Sequence, residues 1–132
     1  RSSQEVTNAG GTALLNHQAW QTAASVLLTN DKASAKGVKP KNPIKPSEGK
    51  WGAVEIAGRY NELRVDSDTF PTFADPTASA SRARAFGLGV NWYLNDNVKA
   101  VVGYEHTLFA GGAKTGNRPS EKVVQTRLEV AF

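Results

Sequence analysis

Two stretches decide how this chain is read: Arg84–Leu94, "RAFGLGVNWYL", and Val98–His106, "VKAVVGYEH". In the first, Phe86, Leu88, Val90, Trp92 and Leu94 alternate with Ala85, Gly87, Gly89, Asn91 and Tyr93. In the second, Val98, Ala100, Val102 and Tyr104 alternate with Lys99, Val101, Gly103 and Glu105. A period of two is that of a strand with one apolar and one wet face. Between them lie Asn95, Asp96 and Asn97, residues that tolerate turn geometry and bond their own backbone. If these three form the loop, Leu94 pairs with Val98, Trp92 faces Ala100 and Val90 faces Val102. The apolar faces then coincide, and a slip of one residue would destroy the match.

Three further segments alternate in the same way. Near the end, Val124, Thr126, Leu128, Val130 and Phe132 oppose Gln125, Arg127 and Glu129. In "GAVEIAGRYN", Val54, Ile56 and Tyr60 oppose Glu55, Arg59 and Asn61. In "LLNHQAWQTAASVLLT", Leu14, Trp20, Ala24, Val26 and Leu28 oppose His17, Gln21 and Ser25. The expected strands are therefore 14–29, 51–63, 83–94, 98–108 and 121–132, with residues 1–12 read as the polar tail of a loop.

Composition narrows the function classes. With no cysteine among the 132 residues, disulfides, thiolate metal sites and cysteine nucleophiles are excluded. The absence of methionine leads to the expectation of a processed chain or a fragment, cut at Arg1 within a surface loop. The net charge of +4 would suit an acidic partner, but five lysines (Lys32, Lys36, Lys39, Lys41, Lys45) fall in one proline-containing tract without aromatics. That tract reads as a solvated loop and not as a nucleic-acid surface, which mixes basic residues with stacking rings. No apolar run is long enough for a membrane helix, whereas a membrane strand needs only about 9–11 alternating residues.

Alternation alone fits two architectures. A soluble β-sandwich fills its inner face with branched aliphatics, and such a module would use the lysine-rich tract to bind an acidic partner. A transmembrane β-barrel carries aliphatics between two aromatic girdles, and Trp20, Tyr60, Trp92, Tyr104 and Phe132 stand near strand ends or shoulders of the apolar face.

The stretches "GKWGAVEIAGRYNEL", "AFGLGVNWYLNDNVKAVVGYEHTLF" and "VVQTRLEVAF" resemble the C-terminal part of the phosphate-selective porin O/P family of outer-membrane channels. "SVLLTNDKASAKGVKPKNPI" is similar to that family's strand with a Lys- and Pro-containing connector, though less closely. The resemblance implies an all-β antiparallel barrel in the bacterial outer membrane, of which residues 1–132 supply about the last five of roughly 16 strands. It also implies a homotrimer, small anions such as phosphate as permeants, surrounding outer-membrane lipid, and N-terminal strands of the same barrel supplied from elsewhere. Phe132 would match the C-terminal aromatic signature of barrel proteins and sit in the periplasmic girdle. Segments 64–82 and 109–120 are then external loops, 95–97 a periplasmic turn, and 30–50 a periplasmic connector too long for the usual pattern.

No catalytic, cofactor or metal constellation is legible, so no enzyme activity and no cofactor is expected. His17 and His106 have no histidine or carboxylate partner at ligand spacing, and "LFAGGAKTGNR" does not match a phosphate-binding loop. On the wet face, Arg59, Lys99 and Arg127 would draw anions into a narrow passage. Glu55, Glu105 and Glu129 project to the same side, and the competing reading is a charge lattice that merely solvates the wall. The resemblance assigns the family's narrowest zone largely to strands nearer the N-terminus.

Overall fold

A computed structural model describes residues 1–32 and 37–131. They form one antiparallel sheet of six strands, each paired with its neighbours in chain order. The strands are β1 (Ser2–Asn8), β2 (Gly11–Leu27), β3 (Ala53–Arg64), β4 (Ala80–Tyr93), β5 (Val98–Gly111) and β6 (Glu121–Val130). The sheet is not closed: β1 and β6 are its two edges.

β1 corrects the reading of residues 1–12 as a loop, and raises the strand count from five to six. It pairs with β2 from Ser2↔His17 to Asn8↔Gly11. Its sequence, SSQEVTN, has no apolar alternation to reveal it. Polar cross-strand pairs hold it instead: the Thr7 and Thr12 hydroxyls meet at 2.8 Å and the Ser3 hydroxyl donates to Asn16 Oδ1 at 2.6 Å. The Asn8 side chain closes the turn by accepting the Gly10 amide at 2.7 Å.

The β4–β5 hairpin has the register that its alternation requires. Leu94 N donates to Val98 O at 2.9 Å, and Asn95 Oδ1 accepts the amides of Asn97 and Val98 at 2.8 Å each. β6 joins through Ala131 N to Asn97 O at 2.8 Å and Asn97 Nδ2 to Ala131 O at 2.9 Å.

By internal contacts the chain divides into two units, one made of Arg1–Thr22, Tyr60–Phe86 and His106–Lys122, the other of Ala23–Arg59, Gly87–Glu105 and Val123–Phe132. In the first, the β3–β4 loop lies against the β1–β2 hairpin. Asn8 Nδ2 donates to Thr72 O at 2.6 Å, and a Cβ on Gly10 would come within 2.9 Å of Thr72 Cγ2. Leu15 is buried there, although its odd position puts it opposite Leu14, which is 60% exposed.

In the second unit the lysine-containing connector is exposed over most of its described length, as expected of a solvated loop, and it is also anchored to strand ends. Ile44 N donates to Leu94 O at 2.7 Å and Trp92 Nε1 to Trp51 O at 2.6 Å. Pro46–Glu48 forms a 3₁₀ turn closed by the Lys45↔Lys50 bridge. Gly52 then leads into β3 at φ +77°, packed so closely on the Tyr93 carbonyl that a side chain has no space. Val38 and Ala53 are buried here. With Leu15 and Pro40 they are the buried apolar residues among those described, while Leu88, Val124 and Leu128 are about two-thirds exposed or more.

Candidate functional site

The six wet-face charges of the sequence reading all fall in the second unit, at odd positions of β3, β5 and β6. The structure couples them. The Arg59 guanidinium binds the Glu105 carboxylate. Lys99 Nζ lies 2.7 Å from Glu129, which Arg127 also binds. Glu55 accepts from Asn91 Nδ2 at 2.8 Å and from the Tyr93 hydroxyl at 2.9 Å. Lys99 also stands 5.6 Å above the Tyr93 ring. Every cation of the set thus has a carboxylate partner, and the three positive and three negative groups sum to zero.

Glycine underlies one of these pairs, Arg59–Glu105. Arg59, Gly87, Gly89, Gly103, Glu105 and Gln125 line part of a shallow hollow of about 370 Å³. A Cβ at Gly87 would touch Glu105 Oε2 at 3.6 Å and Arg59 Nε at 3.7 Å. Tyr93 and Asn91, which sequence reasoning placed on the wet face without a role, are among the residues that bond Glu55, together with Ser25.

The aromatic positions fall in separate groups. In the first unit Trp20 and Tyr60 have ring centroids 5.0 Å apart, and Phe86 continues the row 4.8 Å beyond Tyr60. Phe86 was legible as apolar but not as part of an aromatic row. In the second unit Trp92 bonds the backbone of Trp51, a ring 59% exposed that the alternation did not single out. Tyr104 lies in the middle of β5 and not at a strand end. Phe132 lies outside the described residues.

Asp66, at the start of the β3–β4 loop, gave no sequence signal. Its carboxylate accepts the amides of Asn16 at 2.7 Å and Asp68 at 3.1 Å, and its own amide donates to His17 Nδ1 at 3.2 Å. The Asn16 amide first, and then that of Asp68, hold the Asp66 carboxyl below its ordinary value of 3.8. A lowered carboxyl stabilises the folded form above its unfolded pKa, and that contribution is lost as pH falls through the folded value. Asp66→Asn should therefore lower the melting temperature at pH 7, while the gap between variant and wild type closes as pH falls from 3.8 through the lowered folded-state value. A gap that persists at low pH would show that ionisation is irrelevant to the contact.

Among the described residues no cluster of His, Cys, Asp and Glu could hold a metal ion. No helix among them is long and apolar enough to cross a membrane, which says nothing of strands. A single sheet with one greasy and one charged, glycine-bearing face is the class of structure found in the walls of β-barrels.

The family of phosphate-selective porins O and P matches residues 16–132, and the chain belongs to it. Over 62 residues the chain is 37% identical to Porin O of Pseudomonas aeruginosa (strain PAO1), a stretch that covers 46% of this chain and 14% of that protein. The chain therefore matches a small part of the length of this relative. No solved structure matches the chain.

Proposed function

We propose that this chain forms part of the wall of a passive diffusion channel in the bacterial outer membrane and carries no enzyme activity. The observation that supports it best is the contrast between the two faces. Large apolar side chains on even positions, including Leu88, Val102, Val124 and Leu128, are 53–70% exposed. The opposite face carries paired charges, one pair of them over glycine. Family membership favours the same reading, with small anions, phosphate among them, as permeants and a homotrimer as the assembly. The open edges of β1 and β6 call for partner strands, because unpaired backbone groups in hydrocarbon cost several kcal/mol each.

In this reading Arg59, Lys99 and Arg127 line the lumen together with Glu55, Glu105 and Glu129. Their pairing favours the wall-lattice role over a free cationic ladder. Trp20, Tyr60 and Phe86 make one interfacial row, Trp51 and Trp92 contribute to the other, and Phe132 would belong with the latter. The soluble module that binds an acidic partner is less well supported. Lys45 and Lys50 are engaged by Glu48, Lys41 Nζ by the Asn30 carbonyl, and Lys39 lies 4.0 Å from Asp96. Lys36 lies outside the described residues.

The test is conductance of the full-length protein in planar bilayers, with reversal potentials measured across a phosphate or chloride gradient. Steps with an anion-selective potential are expected. Arg127→Gln should weaken that selectivity by no more than about fivefold, since a solvent-exposed paired charge acts with roughly 0.2–1 kcal/mol. A protein that stays in the soluble fraction as a monodisperse monomer and gives no conductance would overturn the channel reading.

A further inference from the structure

Along β4 the even positions read Arg82, Arg84, Phe86, Leu88, Val90 and Trp92: two guanidiniums, then an aromatic, two aliphatics and another aromatic. On β3 the same face carries Glu62 and Arg64 beyond Tyr60. These charges therefore share the parity of the apolar positions on their own strands. Within the first unit Glu62 is surrounded. The Tyr60 hydroxyl donates to its Oε2 at 2.8 Å, Arg64 Nε donates to its Oε1, and Arg84 Nε lies 3.6 Å from Oε2. The Glu62 side chain is 5% exposed, whereas those of Arg64 and Arg84 are 55% and 42% exposed.

One carboxylate thus faces two guanidiniums, both through Nε, and leaves an excess of one positive charge. The terminal nitrogens of both arginines have no protein partner among the described residues. Arg84 Nε is buried without a hydrogen bond, as is Nε2 of His106 on the same face of β5. Donors held in a planar fork suit an oxyanion that can accept two bonds at once. The adjoining Trp20–Tyr60–Phe86 row adds position to chemistry. In a barrel wall such rings mark the boundary between hydrocarbon and headgroups, so groups just beyond them lie at the level of lipid phosphates.

We propose that Arg64 and Arg84, oriented by Glu62, bind the phosphate of an anionic lipid headgroup on the outer surface of the barrel. The proposal rests on the channel reading given above. Glu62 acts as the positioning residue: it accepts from Arg64 Nε and draws Arg84 Nε to 3.6 Å by charge alone, which leaves the terminal nitrogens for the ligand. Arg82, one place further along β4, extends the cationic strip. A freely diffusing phosphate is the competing source of the same chemistry, and the parity that the arginines share with the apolar positions favours the headgroup.

The test uses the full-length protein refolded in neutral detergent, with diphosphorylated lipid A as the probe and its dephosphorylated form as the control. The diphosphorylated lipid should raise the melting temperature and remain bound in native mass spectrometry, and the dephosphorylated form should do neither. The double variant Arg64→Gln/Arg84→Gln should bind the phosphorylated lipid about tenfold more weakly, with unchanged single-channel conductance. Equal binding of the two lipid forms would overturn the proposal, as would displacement of the lipid by an equal concentration of inorganic phosphate. So would a double variant that keeps its lipid but changes conductance. The wild-type comparison decides the matter even if the double variant does not fold. A protein that conducts without preferring phosphorylated lipid sinks this proposal alone, and one that does not conduct sinks the channel reading.

Discussion

An arginine in place of Val102 is expected to prevent the chain from assembling into a membrane, whereas an arginine in place of Gln125 leaves assembly intact. Val102 lies at an even position of β5, 53% exposed on the protein surface, among Ala100, Tyr104 and the facing Val90. If lipid covers that face, the guanidinium has no water and no carboxylate within reach at this depth. The cost near the bilayer midplane is about 2–4 kcal/mol, a large share of a stability of about 5–15 kcal/mol. Gln125 sits at an odd position of β6, beside the Arg59–Glu105 pair in the hollow on the charged face. Asn91 would be a poorer control, because its side chain is bonded to Glu55. Heat-modifiable migration of unboiled refolded protein measures the outcome. Equal loss from both substitutions would mean that the two faces have been assigned the wrong solvents.

A second large effect is expected from one methyl group at Gly52. Its φ of +77° is left-handed, which costs a residue with a side chain about 1–2 kcal/mol. The new Cβ would also lie 2.1 Å from Tyr93 O, 3.1 Å from Tyr93 C and 3.3 Å from Leu94 Cα. These are backbone atoms at the β4–β5 turn, and Leu94 is bonded both to Val98 and to Ile44, so the strand end cannot move aside cheaply. Overpacking of this kind adds about 1–3 kcal/mol, so Gly52→Ala should cost roughly 2–5 kcal/mol. Gly89→Ala is the comparison. Its Cβ would meet the Val102 carbonyl at an ordinary 3.6 Å with no positive φ, and little change is expected. Urea midpoints of the two refolded variants measure the difference. If they coincide, the contact between Gly52 and Tyr93 does not constrain the fold.

How much could be read in advance depended on whether a feature has a side-chain signature. The β4–β5 hairpin has one, because alternation and the Asn-Asp-Asn turn agree on a single register. β1 has none: a strand held by threonine, serine and asparagine pairs looks like a loop when only apolar spacing is counted. The connector anchors were hidden for a related reason. Ile44 N to Leu94 O and Trp92 Nε1 to a carbonyl are bonds to backbone, which every residue carries. On the charged face the residue types were legible, but the choice of partners was not. Arg59 could have paired with any of three glutamates, and the strand register brings it to Glu105. Asp66 was the hardest to foresee, since its partners Asn16 and His17 are about fifty residues away in sequence.

Gly87 has a consequence of a different kind, one of clearance. The Arg59–Glu105 pair lies flat across it, with just enough space for a methyl group at ordinary van der Waals distance. Anything longer must lift the pair off the wall and into whatever space the wall encloses. The bore of such a passage is then set by a residue that carries no charge, while its electrostatics are set by neighbours that need not change. If this sheet walls a channel, width and selectivity would be set by different residues, and glycine would govern the first.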